Sequence, residues 1–137
     1  GTTIDVQKSM GGIALGATEK QLEKFFGASH CSTGGCNYTG SHNSYTVSAG
    51  IASTGTKVTQ IVFQSQSLAA PARRMHTNKK IGIGSTLTQL KKAYPKVKKS
   101  VGPGVGVTYY ALESSHRDTR FVVNGKKKIF EIDLFAS

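Results

Sequence analysis

The sequence predicts an α+β protein made by tandem duplication of a short helix followed by about three antiparallel strands, with the two sheets joined or abutting. Three observations predict this class: a segment that occurs twice, a helix-start signal in each copy, and alternating apolar and polar residues after each helix. A length of 137 residues allows one modest core, or two half-size units that share one. The 16 glycines, with many Thr and Ser among Val and Ile, favour turn-rich β structure over a helical bundle.

The repeat has an offset of 68 residues. Residues 13–27 read IALGATEKQLEKFFG, and residues 81–95 read IGIGSTLTQLKKAYP. These two stretches are called the repeated segments below. Their similarity predicts two units, residues 1–68 and residues 69–137, that together form one compact domain.

Each repeated segment carries the signals of a short helix. Thr18 and Thr86 stand at the N-cap position, and Gln21 and Gln89 complete a capping box three residues later. Gly27 ends the first helix, and a proline at position 95 ends the second. Helices of about ten residues need a sheet to pack on, because isolated short helices are marginal in water.

The residues after each helix alternate with the period of a half-buried strand. Asn124-Gly125 is a strong two-residue hairpin signal, and residues 64–80 are predicted to be a linker between the units. Two amphipathic half-sheets would bury both helices on one side and leave the other side open. The predicted strands are residues 45–53, 57–63, 107–112, 120–123 and 128–135.

Positive charge is concentrated in the second unit. The formal net charge is +11; residues 1–68 contribute +1 and residues 69–137 contribute +10. A one-sided field of this kind attracts anionic partners, although a solvated basic surface is the alternative interpretation. The candidate anion-binding residues are Arg73, Arg74, Lys91, Lys92, Lys96, Lys98, Lys99, Lys126, Lys127 and Lys128.

The two cysteines and the start of the chain indicate the cellular compartment of the protein. Cys31 and Cys36 are separated by Ser-Thr-Gly-Gly, which favours a local disulfide and an oxidising compartment; two free buried thiols are the alternative. No run approaches the ~20 apolar residues that span a bilayer. The chain begins without Met, so we expect a mature exported protein, extracellular or in the cell envelope, whose signal peptide was removed; a tag remnant on a cytosolic protein would also explain this start.

Catalytic signals are weak. Glu131 and Asp133 share a strand face and form a conceivable carboxylate pair, but their position next to residues 126–128 favours local ion pairs at the surface. The four histidines are scattered, so we expect no metal, no cofactor and no enzymatic activity. A deep pocket that holds Glu131 or His116 with another titratable group would revive the hydrolase hypothesis.

The motif Gly-x-Thr-x-x-x-Leu opens both units, at Gly16–Leu22 and Gly84–Leu90, and residues 27–35 read GASHCSTGG. On these residues the chain resembles the β-lactamase-inhibitor-protein-like group of secreted bacterial proteins and related lipoprotein folds. The resemblance implies a tandem helix-plus-sheet fold whose concave sheet face binds a partner protein. The chain departs from the group in the position of its second cysteine and in lacking an acid in residues 40–43.

These observations lead to two hypotheses from different classes. The first is a non-enzymatic, inhibitor-like module that binds a partner protein through its sheet face. The alternative is a binder of anionic polymers (cell-wall polymer, lipid headgroups or nucleic acid) through the basic second unit. The candidate partner-binding anchors of the first hypothesis are Tyr38, Tyr45, Tyr109, Tyr110 and Phe121.

Overall fold

The structure is a computed structural model. It describes residues 3–27, 30–32, 35–42, 44–52, 54–102 and 107–137, and within residues 30–32 and at residue 42 it describes the backbone alone.

The described residues form short strands and three short helices. The helices are α1 (Glu19–Phe26), α2 (Ala70–Arg73) and α3 (Leu87–Ala93). The strands are β1 (Ile4–Asp5), β2 (Ser9–Met10), β3 (Ile13–Ala14), β4 (His30–Ser32), β5 (Gly35–His42), β6 (Tyr45–Ala52), β7 (Val58–Gln64), β8 (Lys98–Val101), β9 (Thr108–Glu113), β10 (Arg117–Val123) and β11 (Ile129–Ala136).

Eight of these strands form one antiparallel sheet in the order β4-β5-β6-β7-β11-β10-β9-β8. Strands β7 and β11 pair at its centre, where Ile61 lies opposite Leu134 and Phe63 lies opposite Ile132. The three two-residue strands β1, β2 and β3 form a second, small sheet. One large sheet therefore spans both predicted units.

The predicted fold class, α+β with a tandem helix followed by about three strands, is wrong. Antiparallel β structure dominates, and the helices are only eight, four and seven residues long. The prediction overlooked strands that carry no alternation of apolar residues: β5 is polar and glycine-rich, and β8 reads KKSV. Such strands are held by their neighbours in the sheet and leave little pattern in the sequence.

The repeated segments nevertheless make the same local contacts. Thr18 and Thr86 each close a capping box with the glutamine three residues later. The N–H of Gly16 donates to the carbonyl of Val58 at 2.8 Å, and the N–H of Gly84 donates to that of Ile129 at the same distance. The two glycines have φ of 87° and 89°, a left-handed conformation that glycine adopts without steric cost.

The core lies against one face of the large sheet. Ile61, Phe63, Ile132 and Leu134 are fully buried there, and Leu22 of α1 and Leu90 of α3 belong to the same apolar cluster. The residues between them on the central strands point to the opposite face, called the outer face below.

The predicted Asn-Gly hairpin and the predicted linker both need correction. In the β10–β11 turn the left-handed residue is Lys127, with φ of 60°, and the Asn124 side chain accepts from the N–H groups of Lys126 and Lys128. The connection is therefore longer than the predicted two-residue Asn-Gly hairpin. The predicted linker contains α2, and His76 forms bridges with Thr3 and Gly82.

Candidate functional site

Arg120 is at the centre of a cluster on the outer face. Its guanidinium carbon lies 4.4 Å from the centre of the Phe135 ring and 5.1 Å from that of Tyr109. One nitrogen of the same group lies 3.7 Å from the carboxylate of Asp118. Two aromatic faces and a carboxylate thus hold this guanidinium, with the side chain about one-third exposed.

Asp133 lies opposite Arg120 in the β10–β11 pair. It is 8% exposed, and its Oδ1 has no hydrogen-bond partner among the described residues. Burial, followed by the charge and hydrogen bonding of Glu131, raises the pKa of Asp133 to about 8, although Arg120 opposes the shift. The acids predicted to be surface ion pairs therefore include one buried carboxyl group.

All four acids of residues 69–137 occupy the outer face. Glu131 and Asp133 alternate with buried core residues on β11, and Asp118 pairs with Phe135, which shares their face. Glu113 in turn pairs with Asp118. The side of the sheet that carries α3 consequently holds no acid from this half of the chain.

Lysines surround α3 on that side. Lys91 and Lys92 are exposed on the helix, and Lys91 Nζ lies 5.5 Å from the centre of the Tyr110 ring. Lys99 pairs with Tyr110 across the β8–β9 edge, so it faces the same side. Lys79 Nζ donates to the carbonyl of Ala93 at the end of the helix, at 3.2 Å.

More basic residues lie at the start of α3. The N–H of Leu87 donates to the carbonyl of Lys127 at 2.9 Å, and Thr86 forms a bridge with Lys128. The Arg73 side chain lies against Gly84. The α3 basic surface, as we call this region, comprises Arg73, Lys79, Lys80, Lys91, Lys92, Lys96, Lys99, Lys126, Lys127 and Lys128.

Within the described part of the chain, the charges of this surface are not neutralised by ion pairs. The salt bridge found among the described residues joins Arg120 and Asp118, both on the outer face. Of the other two predicted anion-binding residues, Arg74 is exposed just after α2, and Lys98 pairs with Ala111 on the outer face at the sheet edge. The structure thus brings most of the predicted basic residues together.

The structure buries three of the five predicted aromatic anchors. Tyr38, Tyr110 and Phe121 are 1%, 5% and 0% exposed, so in this structure they belong to the core. Their burial argues against a role as contact residues, which stays an untested prediction; sequence alone did not show which face of its strand each aromatic side chain occupies. Tyr45 is partly buried and stacks on Phe63 at 5.3 Å, which leaves Tyr109 as the predicted anchor on the outer face.

The strand register places the two cysteines opposite each other. Cys31 and Cys36 are direct partners in the β4–β5 pair, and no cysteine among the described side chains is free. The side chain of Cys31 lies outside the described residues. The disulfide stays a prediction that this register supports.

A cavity of about 440 Å³ lies beside the outer-face cluster and is lined by His116, Asp118, Arg120 and Phe135 together with serines. It places a histidine beside two charged groups, but Ser115, His116 and Ser137 of its lining are exposed, so it is not the deep pocket that the hydrolase hypothesis required. Within the part of the chain that is described, no group of His, Cys, Asp and Glu could hold a metal ion. No helix among the same residues is long and apolar enough to cross a membrane.

The sequence contains no clear signal for the burial of Asp133. Its alternation with Ile132 and Leu134 places it on the polar face of β11, where a carboxylate is ordinarily exposed. Side chains from β10 and β7 bury it, through Arg120 and Val62 as its direct neighbours. The sequence shows only that Glu131 and Asp133 are two residues apart, which places two carboxyl groups on one face of the strand.

The sequence matches no family model and no curated protein. Three solved structures are similar in fold. A DUF4309 family protein, YjgB, from Bacillus subtilis has a TM-score of 0.55 at 14% identity, covering 88% of this chain and 79% of its own. A cysteine-rich secretory protein from Staphylococcus aureus has a TM-score of 0.59 at 10% identity, covering 97% of this chain and 48% of its own.

The third is an extracellular protein with an SCP domain from Bacillus anthracis, with a TM-score of 0.58 at 10% identity. It covers 90% of this chain, which spans only 44% of the B. anthracis protein and about half of the S. aureus one. None of these comparisons concerns the β-lactamase-inhibitor-protein-like group, so that resemblance stays a prediction. At such low identities the three structures show a shared fold.

Proposed function

We propose that this chain is a non-catalytic binding module that recognises an anionic polymer through the α3 basic surface. The observation that carries the proposal is the separation of charge: the acids of residues 69–137 lie on the outer face, and around α3 lie lysines that form no ion pair with any described residue. Unpaired lysines on one surface create a positive potential that attracts polyanions from solution.

The two similar helices differ in charge in a way that supports this proposal. Glu19 and Glu23 of α1 correspond, at the offset of 68, to Leu87 and Lys91 of α3. The exposed side of α1 is therefore mixed in charge, whereas that of α3 carries only positive charge. A general preference for lysine would not by itself give this difference between two otherwise similar helices.

We also propose an extracellular or cell-envelope location. Two of the structural neighbours are described as secretory and extracellular proteins. A disulfide between Cys31 and Cys36 would require an oxidising compartment of this kind.

The test is equilibrium binding of the purified chain to labelled polyphosphate, single-stranded DNA, poly-glutamate and anionic lipid vesicles, from ~50 to ~200 mM salt. We expect affinity for at least one soluble polymer to fall linearly with log salt, because binding releases counterions. Absence of binding at the lowest salt to every polymer would overturn the proposal.

Matched variants separate a localised surface from net charge alone. The triple variant Lys91→Gln, Lys92→Gln, Lys99→Gln removes three charges from the α3 basic surface. The triple variant Lys20→Gln, Lys24→Gln, Lys57→Gln removes three from the first half. We expect the former to weaken binding about tenfold or more and to lower the salt slope, and the latter to have a much smaller effect. Equal effects would mean that the net charge acts without a defined site.

A second candidate function is supported by the outer face. Tyr109, Arg120 and Phe135 form a partly exposed aromatic and arginine cluster, and such residues dominate protein interfaces. This retains the protein-partner hypothesis with Tyr109 as a predicted anchor and with Arg120 and Phe135 as new ones. Salt-insensitive binding of one defined protein, lost in Arg120→Ala, would favour it over the polymer proposal.

A further inference from the structure

Each repeated segment forms a cleft between its helix and the residues around the start of the segment, and the two clefts share part of their lining. The first cleft, of about 460 Å³, includes Gly12, Ile13, Gln21, Lys24 and Phe25 among its lining residues. The second, of about 520 Å³, is lined by the counterparts of these five residues at the offset of 68, which are Lys80, Ile81, Gln89, Lys92 and Ala93, and by Lys79.

Two substitutions distinguish the clefts. Position 25 of the first is a phenylalanine whose ring lies against Gly12, since a Cβ atom there would be 3.3 Å from it. The corresponding pair in the second cleft is Ala93 and Lys80. A large apolar side chain is thus replaced by a methyl group, and a glycine by a lysine, so the second cleft has more room and more positive charge.

Lys80 occupies a backbone position that favours glycine. Its φ is 63°, and Gly12, at the corresponding position, has φ of 93°. A lysine in the left-handed region is sterically less favourable than a glycine. Its presence there, with a side chain that lines the cleft, is consistent with a function in binding.

Lys79 is held in place at the same cleft. Its Nζ donates to the carbonyl of Ala93 at 3.2 Å and lies 5.0 Å from the centre of the Tyr94 ring. Gln89 uses its Oε1 to accept from the N–H of Thr86 at 2.9 Å, so its amide N–H groups remain as donors. The ammonium groups and this amide supply donors and no carboxylate opposes them.

We infer that this cleft binds a phosphate group and anchors the polymer on the α3 basic surface. The inference rests on the proposed function and assigns its ligand class. Three lysines without an arginine suit a compact, multiply charged oxyanion, which lysine binds as a point charge. A phosphate group carries up to about two negative charges and a carboxylate carries one, so the three ammonium groups that line the cleft attract a phosphate more strongly.

Two variants that copy the first cleft test the inference. Lys80→Gly restores the glycine and removes one charge, and Ala93→Phe restores the phenylalanine and removes none. Lys24→Gln in the first cleft is the control for loss of a single charge. We expect the first two each to weaken binding of inorganic pyrophosphate and polyphosphate by about tenfold or more, and Lys24→Gln by less than about twofold. Circular dichroism and thermal unfolding check that each variant is folded.

The outcomes separate the cleft from the surface. If wild type binds polyphosphate and both cleft variants bind it as Lys24→Gln does, the cleft inference is wrong and the surface proposal stands. If poly-glutamate binding falls as much as polyphosphate binding, the assignment to phosphate is wrong. If pyrophosphate binds in the cleft and no polymer does, the ligand is a free phosphate compound. The cleft is then a phosphate site, and both the polymer proposal and the anchoring of a polymer by the cleft are wrong.

Discussion

Asp133 of β11 and Arg120 of β10 lie opposite each other in neighbouring strands, and the positive charge of Arg120 acts to lower the pKa of Asp133. Burial prevails over this attraction and holds the pKa at about 8, against an ordinary value of 3.8. The carboxyl group is therefore mostly protonated at neutral pH. Glu131, which shares a hydrogen bond with it, is the second acid of this pair.

Replacing Asp133 with asparagine should remove a pH dependence of folding. Because the folded pKa is raised, the protonated acid favours folding below pH 4, and this stability is lost as pH rises through about 8. We expect wild type to lose at least about 2 kcal/mol relative to Asp133→Asn between pH 4 and pH 9, since each pKa unit corresponds to about 1.4 kcal/mol. Urea unfolding at several pH values measures the difference.

Asp118→Asn is the matched control for this experiment. Asp118 lies on the same face with its side chain about one-third exposed, so its removal should not flatten the pH profile. A profile that is unchanged in Asp133→Asn would show that this carboxyl group ionises normally in the folded protein.

Truncation of the two adjacent tyrosines of β9 should destabilise the protein to very different extents. Tyr110 is buried against Phe121, its direct strand partner, whereas Tyr109 lies on the outer face beside Arg120. We expect Tyr110→Ala and Phe121→Ala each to cost about 3–5 kcal/mol, as large cavities do, and Tyr109→Ala about 1 kcal/mol. Thermal and urea unfolding measure these losses of stability. A loss of about 3 kcal/mol or more in Tyr109→Ala would place the Tyr109 side chain in the core as well.

Local signals in the sequence identified local structure. The capping boxes at Thr18 and Thr86 form as predicted, because their partners lie three residues away. The predicted strand at residues 57–63 corresponds to β7, whose buried residues alternate with more exposed ones. Each of these features depends on neighbours along the chain, so single-sequence reasoning could reach them.

Features that depend on distant strands escaped prediction. Residues 98–101 read as a lysine-rich segment, and only pairing with β9 makes them a strand. The orientation of Tyr109 and Tyr110 could not be chosen without knowing which face of β9 meets the core. The burial of Asp133 likewise results from strands β7 and β10, so its raised pKa has no counterpart in the local sequence.

Gly82 should tolerate no side chain. A Cβ atom at this position would overlap the carbonyl oxygen of Met75 and lie 3.3 Å from the Cα of His76, both of them backbone atoms. We expect Gly82→Ala to lower the free energy of unfolding by at least about 2 kcal/mol, because the bridge between His76 and Gly82 must open.

Gly125 offers the comparison for that variant. It lies in the β10–β11 turn, and a Cβ atom there would have no heavy atom within 4 Å. Thermal unfolding of both variants measures the difference, and Gly125→Ala should change the free energy of unfolding by less than about 0.5 kcal/mol. Similar losses in both variants would indicate a general cost of replacing glycine and would contradict the specific overlap at position 82.

The cysteine pair should be a disulfide in the purified chain. Cys31 and Cys36 are direct partners in β4 and β5, and we expect the purified chain to resist thiol alkylation until it is reduced. Because the disulfide would close only a short loop, reduction should cost less than about 3 kcal/mol and leave the fold intact. Mass spectrometry after alkylation, with and without reductant, counts the reactive thiols. Cys31→Ser is the control, because its single remaining thiol should react without reductant; two reactive thiols in the untreated wild type would exclude the disulfide and remove one support for an oxidising compartment.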